Sequence, residues 1–355
     1  MRLCERIHYF IDFPKDKAIG TVSTIAIWIL LTYFYHAWPA VPYLYFGGPK
    51  GSGKSRVFEI LERLAFRSYS TSNISAASVF RTLDSRGGTL IYDEAERLKD
   101  RSSDQHELLS MLLAGYKRGG SATRMEKVGD KFKTVQFDVY GPKAIACIQG
   151  LPPALGSRAI RIIMFRTGKD SQKPRRKIDA DPTCWQELRD QLYVLALERG
   201  VEVLRYVDRD DVCPPMSGRD YELWQPLLAL AAWIEESGMS DLLPMMQDHA
   251  KLVIHDSQDE TTDDQDETLL RILAECIQLG KKPQPKDILE QAKLHDPGFS
   301  SWSPKAVATH LRRYEVITNK SNGKKIYSQT SLDQLVAIET NYGMDLGLDS
   351  DEEVF

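Results

Sequence analysis

Two periods of apolar recurrence run along this chain, and the points where one gives way to the other mark its elements. Ile19 to His36 is almost wholly apolar, with no charge between Lys17 and Lys50, and predicts a buried core helix. Val41 to Phe46 reads as a short apolar strand that stops at glycines. Beyond them Val57, Ile60, Leu61 and Leu64 recur at helical spacing, so Lys54 to Ala65 is expected to be the next helix. Arg67 to Ser72 supplies a second strand, Ala76 to Leu83 a helix, and Gly88 to Tyr92 a third strand, apolar enough to be covered on both faces. This alternation predicts an α/β fold on a parallel sheet.

Further along, His106 to Tyr116 is expected to be helical, Gly119 to Val139 to form a hairpin, and Gly141 to Gln149 and Ala159 to Phe165 to add two apolar strands. The basic, proline-containing run Arg166 to Lys177 reads as a linker. Pro182 to Val207 and Arg219 to Ser237 carry helical periodicity, the second announced by Ser217 and Gly218, and suggest a helical lid. The acidic run Asp256 to Glu267 reads as a solvated linker. After it, helices are expected around Leu269 to Leu273, Ile288 to Ala292 and from Ser303-Pro304 to Tyr314, then a hairpin turning at Asn322-Gly323. Three helices and a β wing make a winged helix. The expected domains are a core over residues 1–166, linker and lid over 167–255, acidic linker 256–266, winged helix 267–342 and acidic tail 343–355.

A length of 355 residues suits one sizeable core plus smaller domains. The 42% hydrophobic and 27% charged fractions are those of a packed globular chain, and a net charge of -4 argues against a uniformly basic coat for nucleic acid. Cys4, Cys147, Cys184, Cys213 and Cys276 are scattered without zinc-ligand spacing, which points to a reducing, cytoplasmic compartment and no structural metal. A membrane span over Ile25 to Tyr35 is the rival to the core helix. Against it stand Thr21, Ser23, Thr24, Thr32, His36, two prolines, and a following loop that has to stay in water.

That loop carries the clearest chemistry. Gly48, Pro49, Lys50, Gly51, Ser52, Gly53, Lys54 and Ser55 fit GxxxxGK[ST] between a predicted strand and a predicted helix. The glycines let backbone N–H groups turn inward around phosphates at a helix N-terminus. Lys54 would reach the β and γ phosphates of ATP, and the Ser55 hydroxyl would be a ligand for Mg²⁺. Leu90-Ile91-Tyr92 ends in Asp93 and Glu94: the first would hold the metal, directly or through water, and the second would orient or deprotonate the attacking water. A plain acidic helix start is the bland alternative for that pair.

With both motifs in place, the chain resembles the AAA+ P-loop ATPases, and within them the helicase-type modules of mobile-element and phage replication proteins, similar in turn to MCM and superfamily 3 helicases. The resemblance covers roughly Ala18 to Ala232 and rests on Ile27-Trp28-Ile29, Gly115-Tyr116-Lys117-Arg118-Gly119-Gly120, Gly141-Pro142-Lys143-Ala144, Leu151-Pro152-Pro153 and Arg219-Asp220-Tyr221-Glu222-Leu223-Trp224. It implies a sensor of the γ-phosphate at Gln149, where asparagine or threonine is usual. It also implies an arginine finger at Arg158, with Arg161 as competitor, entering the neighbouring subunit's site, and a second sensor at Arg219.

Lys117, Arg118, Arg124, Lys127, Lys131 and Lys133 crowd the predicted hairpin, which resembles the DNA-contacting hairpin of replicative helicases and could grip phosphates in the pore of a ring. In the C-terminal part Lys305, His310, Arg312 and Arg313, with Lys320, Lys324 and Lys325 of the wing, form a second basic face, for DNA or for a protein partner. The expected function is an ATP-driven DNA motor working as a homo-oligomer, a hexamer by resemblance, without a membrane and with any primase or nuclease on a separate polypeptide. The alternatives are a DNA-binding ATPase switch, whether loader or regulator, and an assembly clock in a defence complex.

Overall fold

The computed structural model describes residues 2–71, 75–99, 102–128, 131–148, 150–168, 171–216, 218–261, 264–314, 316–321, 323–328, 331–342 and 346–348. Two compact units divide between Ile254 and His255.

The first unit opens with two helices, α1 (Arg2–Phe10) and α2 (Ala18–Phe34), before strand β1 (Tyr43–Gly47) and helix α3 (Lys54–Leu64). Then come β2 (Tyr69–Thr71), α4 (Ala76–Arg86), β3 (Leu90–Tyr92), α5 (Ser103–Ala114), the hairpin β4 (Ser121–Val128) and β5 (Lys131–Asp138), β6 (Lys143–Cys147), a single helical turn α6 (Pro153–Gly156) and β7 (Ala159–Ile163). Helices α7 (Pro182–Val203), α8 (Gly218–Glu236) and α9 (Leu242–Thr261) follow. The five core strands are all parallel, in the order β2-β3-β6-β1-β7. Strand β1 is therefore interior, with Leu44 beside Ala144 on one side and Ile160 on the other. Every residue of β1 and β6 is buried, as a parallel sheet covered on both faces requires.

Helix α2 is apolar all round because it is enclosed by protein. Among the described residues, Ala18–Ala37 is the one stretch long and apolar enough to cross a membrane, and 83% of that window is buried, with α1, α7 and α8 packed against it. Its polar groups are answered locally: Thr32 donates to the Ile29 carbonyl, and Trp28 Nε1 donates to that of Pro42 at 2.7 Å.

Helix α1 was not apparent in the apolar pattern, and neither was α9. The acidic run Asp256 to Glu267 is a correction: its described residues are helical, at the end of α9 and the start of α10 (Asp264–Gln278). Acidic side chains suit a helix N-terminus, and Asp266 is buried rather than solvated, accepting from His310 Nδ1 at 2.5 Å, Tyr314 Oη at 3.2 Å and Arg313 Nη1 at 3.4 Å. The second unit continues with α11 (Pro285–His295), α12 (Pro304–Arg313), the antiparallel pair β8 (Asn319–Ser321) and β9 (Lys324–Ile326), and an additional helix α13 (Ser331–Tyr342). Its core includes Leu269, Ile288, Phe299, Val307 and Leu335. Leu346 and Leu348 are buried in the same core, so the stretch read as an acidic tail begins inside this unit. Asn322, the expected turn residue, and Ser217, the expected helix signal, lie outside the described residues.

At the start of β6 the fully buried Lys143 ties three segments together, its ammonium donating to the carbonyls of Gly115 (3.2 Å), Val139 (2.9 Å) and Gly141 (3.0 Å). Burial pushes its pKa down to about 7 from an ordinary 10.5, against an opposing pull from Asp138. Between those values the unfolded chain binds more protons than the folded one, so this group makes stability rise with pH across that window. Lys143→Met is expected to flatten the rise, measured by urea unfolding at a series of pH values. It should also cost roughly 1–3 kcal/mol for the Val139 and Gly141 carbonyls that lose the lysine's N–H, the Gly115 carbonyl still accepting from the Gly141 N–H. An unaltered slope would refute the assignment.

Candidate functional site

Strand β1 delivers the glycine loop to the C-terminal edge of the sheet, and α3 begins at its end with Lys54. Gly48, Gly51 and Gly53 have φ of 138°, 81° and 95°, values that side chains rarely adopt. At Gly48 a Cβ would also stand 2.2 Å from the Met164 carbonyl oxygen, so the loop is pressed against the end of β7. Lys54 folds back over its own loop and donates to the carbonyls of Gly48 (2.7 Å) and Pro49 (3.1 Å). The Ser52 hydroxyl is buried and has no hydrogen-bond partner among the described residues, a polar atom left available inside the loop.

Two strands away, β3 ends at Tyr92 and puts Asp93 and Glu94 at the same edge of the sheet. The Asp93 N–H donates to the Thr71 carbonyl at 3.2 Å, and an Asp93 carboxylate oxygen accepts from the Glu94 N–H at 2.9 Å. Glu94 has φ 59°, a left-handed value uncommon for a residue with a side chain, and its exposed carboxylate lies 3.6 Å from the Arg97 guanidinium. Lys50 to Arg56, Asp93, Glu94, Glu96, Arg97, Ala146 and Ile148 line one cleft of about 660 Å³. The two acids and the glycine loop thus face a common space. A hydroxyl at Ser55 and a carboxylate at Asp93 are the oxygen donors that a hard cation such as Mg²⁺ takes, and a loop rich in inward N–H groups fits polyphosphate.

Two residues of this cleft, Glu96 and Arg97, and one that braces its loop, Arg166, had escaped attention in the sequence. Glu96 accepts from the Ile148 N–H, Arg97 pairs with Glu94, and Arg166, from the run read as a linker, donates Nε to the Lys50 carbonyl at 3.0 Å. Glu96 and Arg166 carry no spacing signal, since they meet Ile148 and the loop only through the fold, whereas Arg97 lies three residues from Glu94. Gln149 lies outside the described residues.

Arg158 and Arg219 do not line this cleft. The Arg158 carbonyl accepts from the Tyr43 N–H at 3.0 Å, at the start of β1, so roughly 15 Å of strand separates that point from the glycine loop. Arg219 stands at this same far end, 4.9 Å from the Tyr116 ring that Arg158 approaches at 6.0 Å, and pairs with Glu222 at 2.9 Å. Arg219, expected as a second sensor, thus stands away from the cleft of its own chain. Arg161, the competitor to Arg158, sits within β7 opposite Tyr45. Burial pushes the Tyr116 phenol upward, which keeps it neutral between the two guanidiniums.

The basic residues around the hairpin divide. Lys117 pairs with Glu222 at 2.6 Å, Arg118 donates to the His36 and Trp38 carbonyls, and Arg124 pairs with Glu107 while lying 4.8 Å over the Phe80 ring. These three are engaged by neighbouring groups around the hairpin, with Lys117 and Arg118 still exposed. Lys131 and Lys133 are exposed toward its tip, and the side chain of Lys127 lies outside the described residues. The other hairpin face shows Met125 and Phe132, 62% and 67% exposed, which charge counting overlooked. In the second unit Lys305, Arg312, Lys324 and Lys325 are exposed, whereas His310 and Arg313 are engaged by Asp266; the side chain of Lys320 lies outside the described residues.

No protein-family model and no curated protein matches the chain. Among solved structures, the C-terminal region of NrS-1 is similar at 15% identity with a TM-score of 0.39, over 92% of this chain and 74% of that one. JCV helicase is similar at 15% identity with a TM-score of 0.30, over 70% of this chain and 64% of that one.

Proposed function

We propose that this chain hydrolyses ATP at the cleft between the glycine loop and the Asp93-Glu94 pair and uses the energy to move DNA as a ring-forming, helicase-type motor. The observation that carries the ATPase reading is that Lys54, Ser55, Asp93 and Glu94, drawn from two separate motifs, border one space at the C-terminal edge of a parallel sheet. In open α/β sheets that edge is where ligands bind.

In this reading the loop N–H groups and Lys54 would bind the phosphates, and Ser55 and Asp93 would hold Mg²⁺, which would supply positive charge against the polyphosphate. Glu94 orients a water and takes its proton as the water oxygen bonds to the γ-phosphorus. The bridging bond to the β-phosphate then breaks to leave ADP and phosphate. Gln149 completes the site as a sensor. Arg158, with Arg219 beside it, serves the cleft of a neighbouring copy, since neither lies at its own.

Lys131, Lys133 and Lys127 would grip the DNA backbone, and the second unit, read as a winged helix, would add Lys305, Arg312, Lys324 and Lys325. An ATPase core with a helical lid, a separate C-terminal domain and a cytoplasmic location go with this reading. The switch alternative shares the cleft and differs only in lacking strand displacement. Glu94→Gln tests the chemistry: nucleotide binding should persist while phosphate release falls on the order of 10²–10⁴-fold, the contribution of a positioned base. Undiminished turnover in Glu94→Gln would remove Glu94 from the mechanism.

A further inference from the structure

The two strands that neighbour β1 each lead into an exposed apolar side chain, and the two stand on opposite sides of the glycine loop. Gly47 pairs with Cys147 of β6 and with Ile163 of β7, so Ile148 follows on one side of the loop and Met164 and Phe165 on the other. Ile148 is 50% exposed and Phe165 58%. Ile148 belongs to the wall of the cleft, whereas Phe165 has no task in the ATPase reading.

The chain on both sides of Phe165 is fastened to the loop. The Met164 N–H donates to the Gly47 carbonyl at 2.8 Å, and the Met164 carbonyl is the atom against which Gly48 is pressed. After Phe165, Arg166 donates Nε to the Lys50 carbonyl at 3.0 Å. Farther on, Arg56 in the first turn of α3 donates Nη2 to the carbonyls of Arg176 at 2.8 Å and Lys173 at 3.2 Å. A lone exposed apolar side chain needs no explanation, but one whose two neighbours are both bonded to the glycine loop is placed relative to whatever that loop holds.

We propose that Phe165 is the platform on which the base of the nucleotide stacks, an inference that rests on the ATPase reading of the cleft. The order of the sheet sets the direction. Strand β3, with Asp93 and Glu94 after it, lies beyond β6, on the Ile148 side of the loop, and β7 is the edge strand on the other side. The phosphate that is hydrolysed has to face the two acids, so the nucleoside at the far end of the triphosphate leaves the loop toward β7, where Phe165 stands. The only aliphatic side chains lining the cleft are Ala146 and Ile148, both on the acids' side. A planar base gains most from an aromatic face, and because adenine and guanine both have such a face, Phe165 supplies affinity without choosing between them.

Calorimetric titration of the full chain with ATP and, separately, with inorganic tripolyphosphate, each with Mg²⁺, is the test. Tripolyphosphate carries the phosphates without the base. Phe165→Ala should weaken ATP on the order of tenfold and GTP by a similar factor, while tripolyphosphate binds as it does to the parent. Phe165→Trp should restore ATP binding. An ATP affinity unchanged in Phe165→Ala would overturn the proposal, and so would an equal loss for ATP and tripolyphosphate, which would make Phe165 a prop of the loop. A loss of ATP affinity in Ile148→Ala with none in Phe165→Ala would also overturn it, by putting the base on the acids' side. Failure of any of these kinds leaves the ATPase reading standing as long as the parent binds tripolyphosphate and Lys54→Ala weakens that binding. If the parent binds neither ATP nor tripolyphosphate, both readings fall.

Discussion

Lys54→Ala is expected to lower ATP turnover on the order of 10²–10³-fold, the size of effect seen when one preorganised charge-stabilising donor is removed. The fold should not suffer, because among the described residues the ammonium donates only to the carbonyls of Gly48 and Pro49, both within its own loop. Thermal shift separates the two contributions. Without nucleotide, variant and parent should melt together. With Mg²⁺ and ATP at about a hundred times the dissociation constant, the parent alone should gain about 2.7 kcal/mol of stability. A variant that hydrolyses ATP at the parent's rate would mean that the glycine loop is not where phosphate transfer occurs.

Arg158→Ala is expected to lose even more turnover, on the order of 10³–10⁵-fold, if its guanidinium meets the developing charge on a neighbouring subunit's phosphate. Its position at the start of β7, a strand's length from its own loop, gives this a specific form. Subunits carrying Lys54→Ala keep the arginine, and subunits carrying Arg158→Ala keep the loop. Random pairing of equal amounts should therefore rebuild about a quarter of the sites in a head-to-tail ring. Phosphate release from the mixture should approach that fraction of the parent's. No recovery at any ratio would confine each site to one chain and remove the ring from the reading.

The glycine loop and the acids after β3 were legible because their pattern is local. GxxxxGK[ST] needs its residues within one turn of chain, and Asp93 needs only an apolar strand before it. The hairpin was legible from glycines and β-branched residues, and the helix after the loop from Val57, Ile60, Leu61 and Leu64. Other features depended on partners far away in the chain. Asp266 looked like one more charge in an acidic run, yet it is the buried acceptor that joins α10 to α12. Arg118 and Arg124 looked like free cations until Trp38, Phe80 and Glu107 were brought beside them.

By itself, then, the sequence determined most of the elements, the glycine loop and the pair of acids, since periodicity and motif spacing act over a few residues. Only the tertiary structure decided that β6 slips between β3 and β1 to join the two motifs into one cleft. It also decided that Arg158 and Arg219 share the opposite end of the sheet. Those outcomes follow from how apolar faces are buried against one another across long stretches of chain, and no local pattern encodes which faces meet.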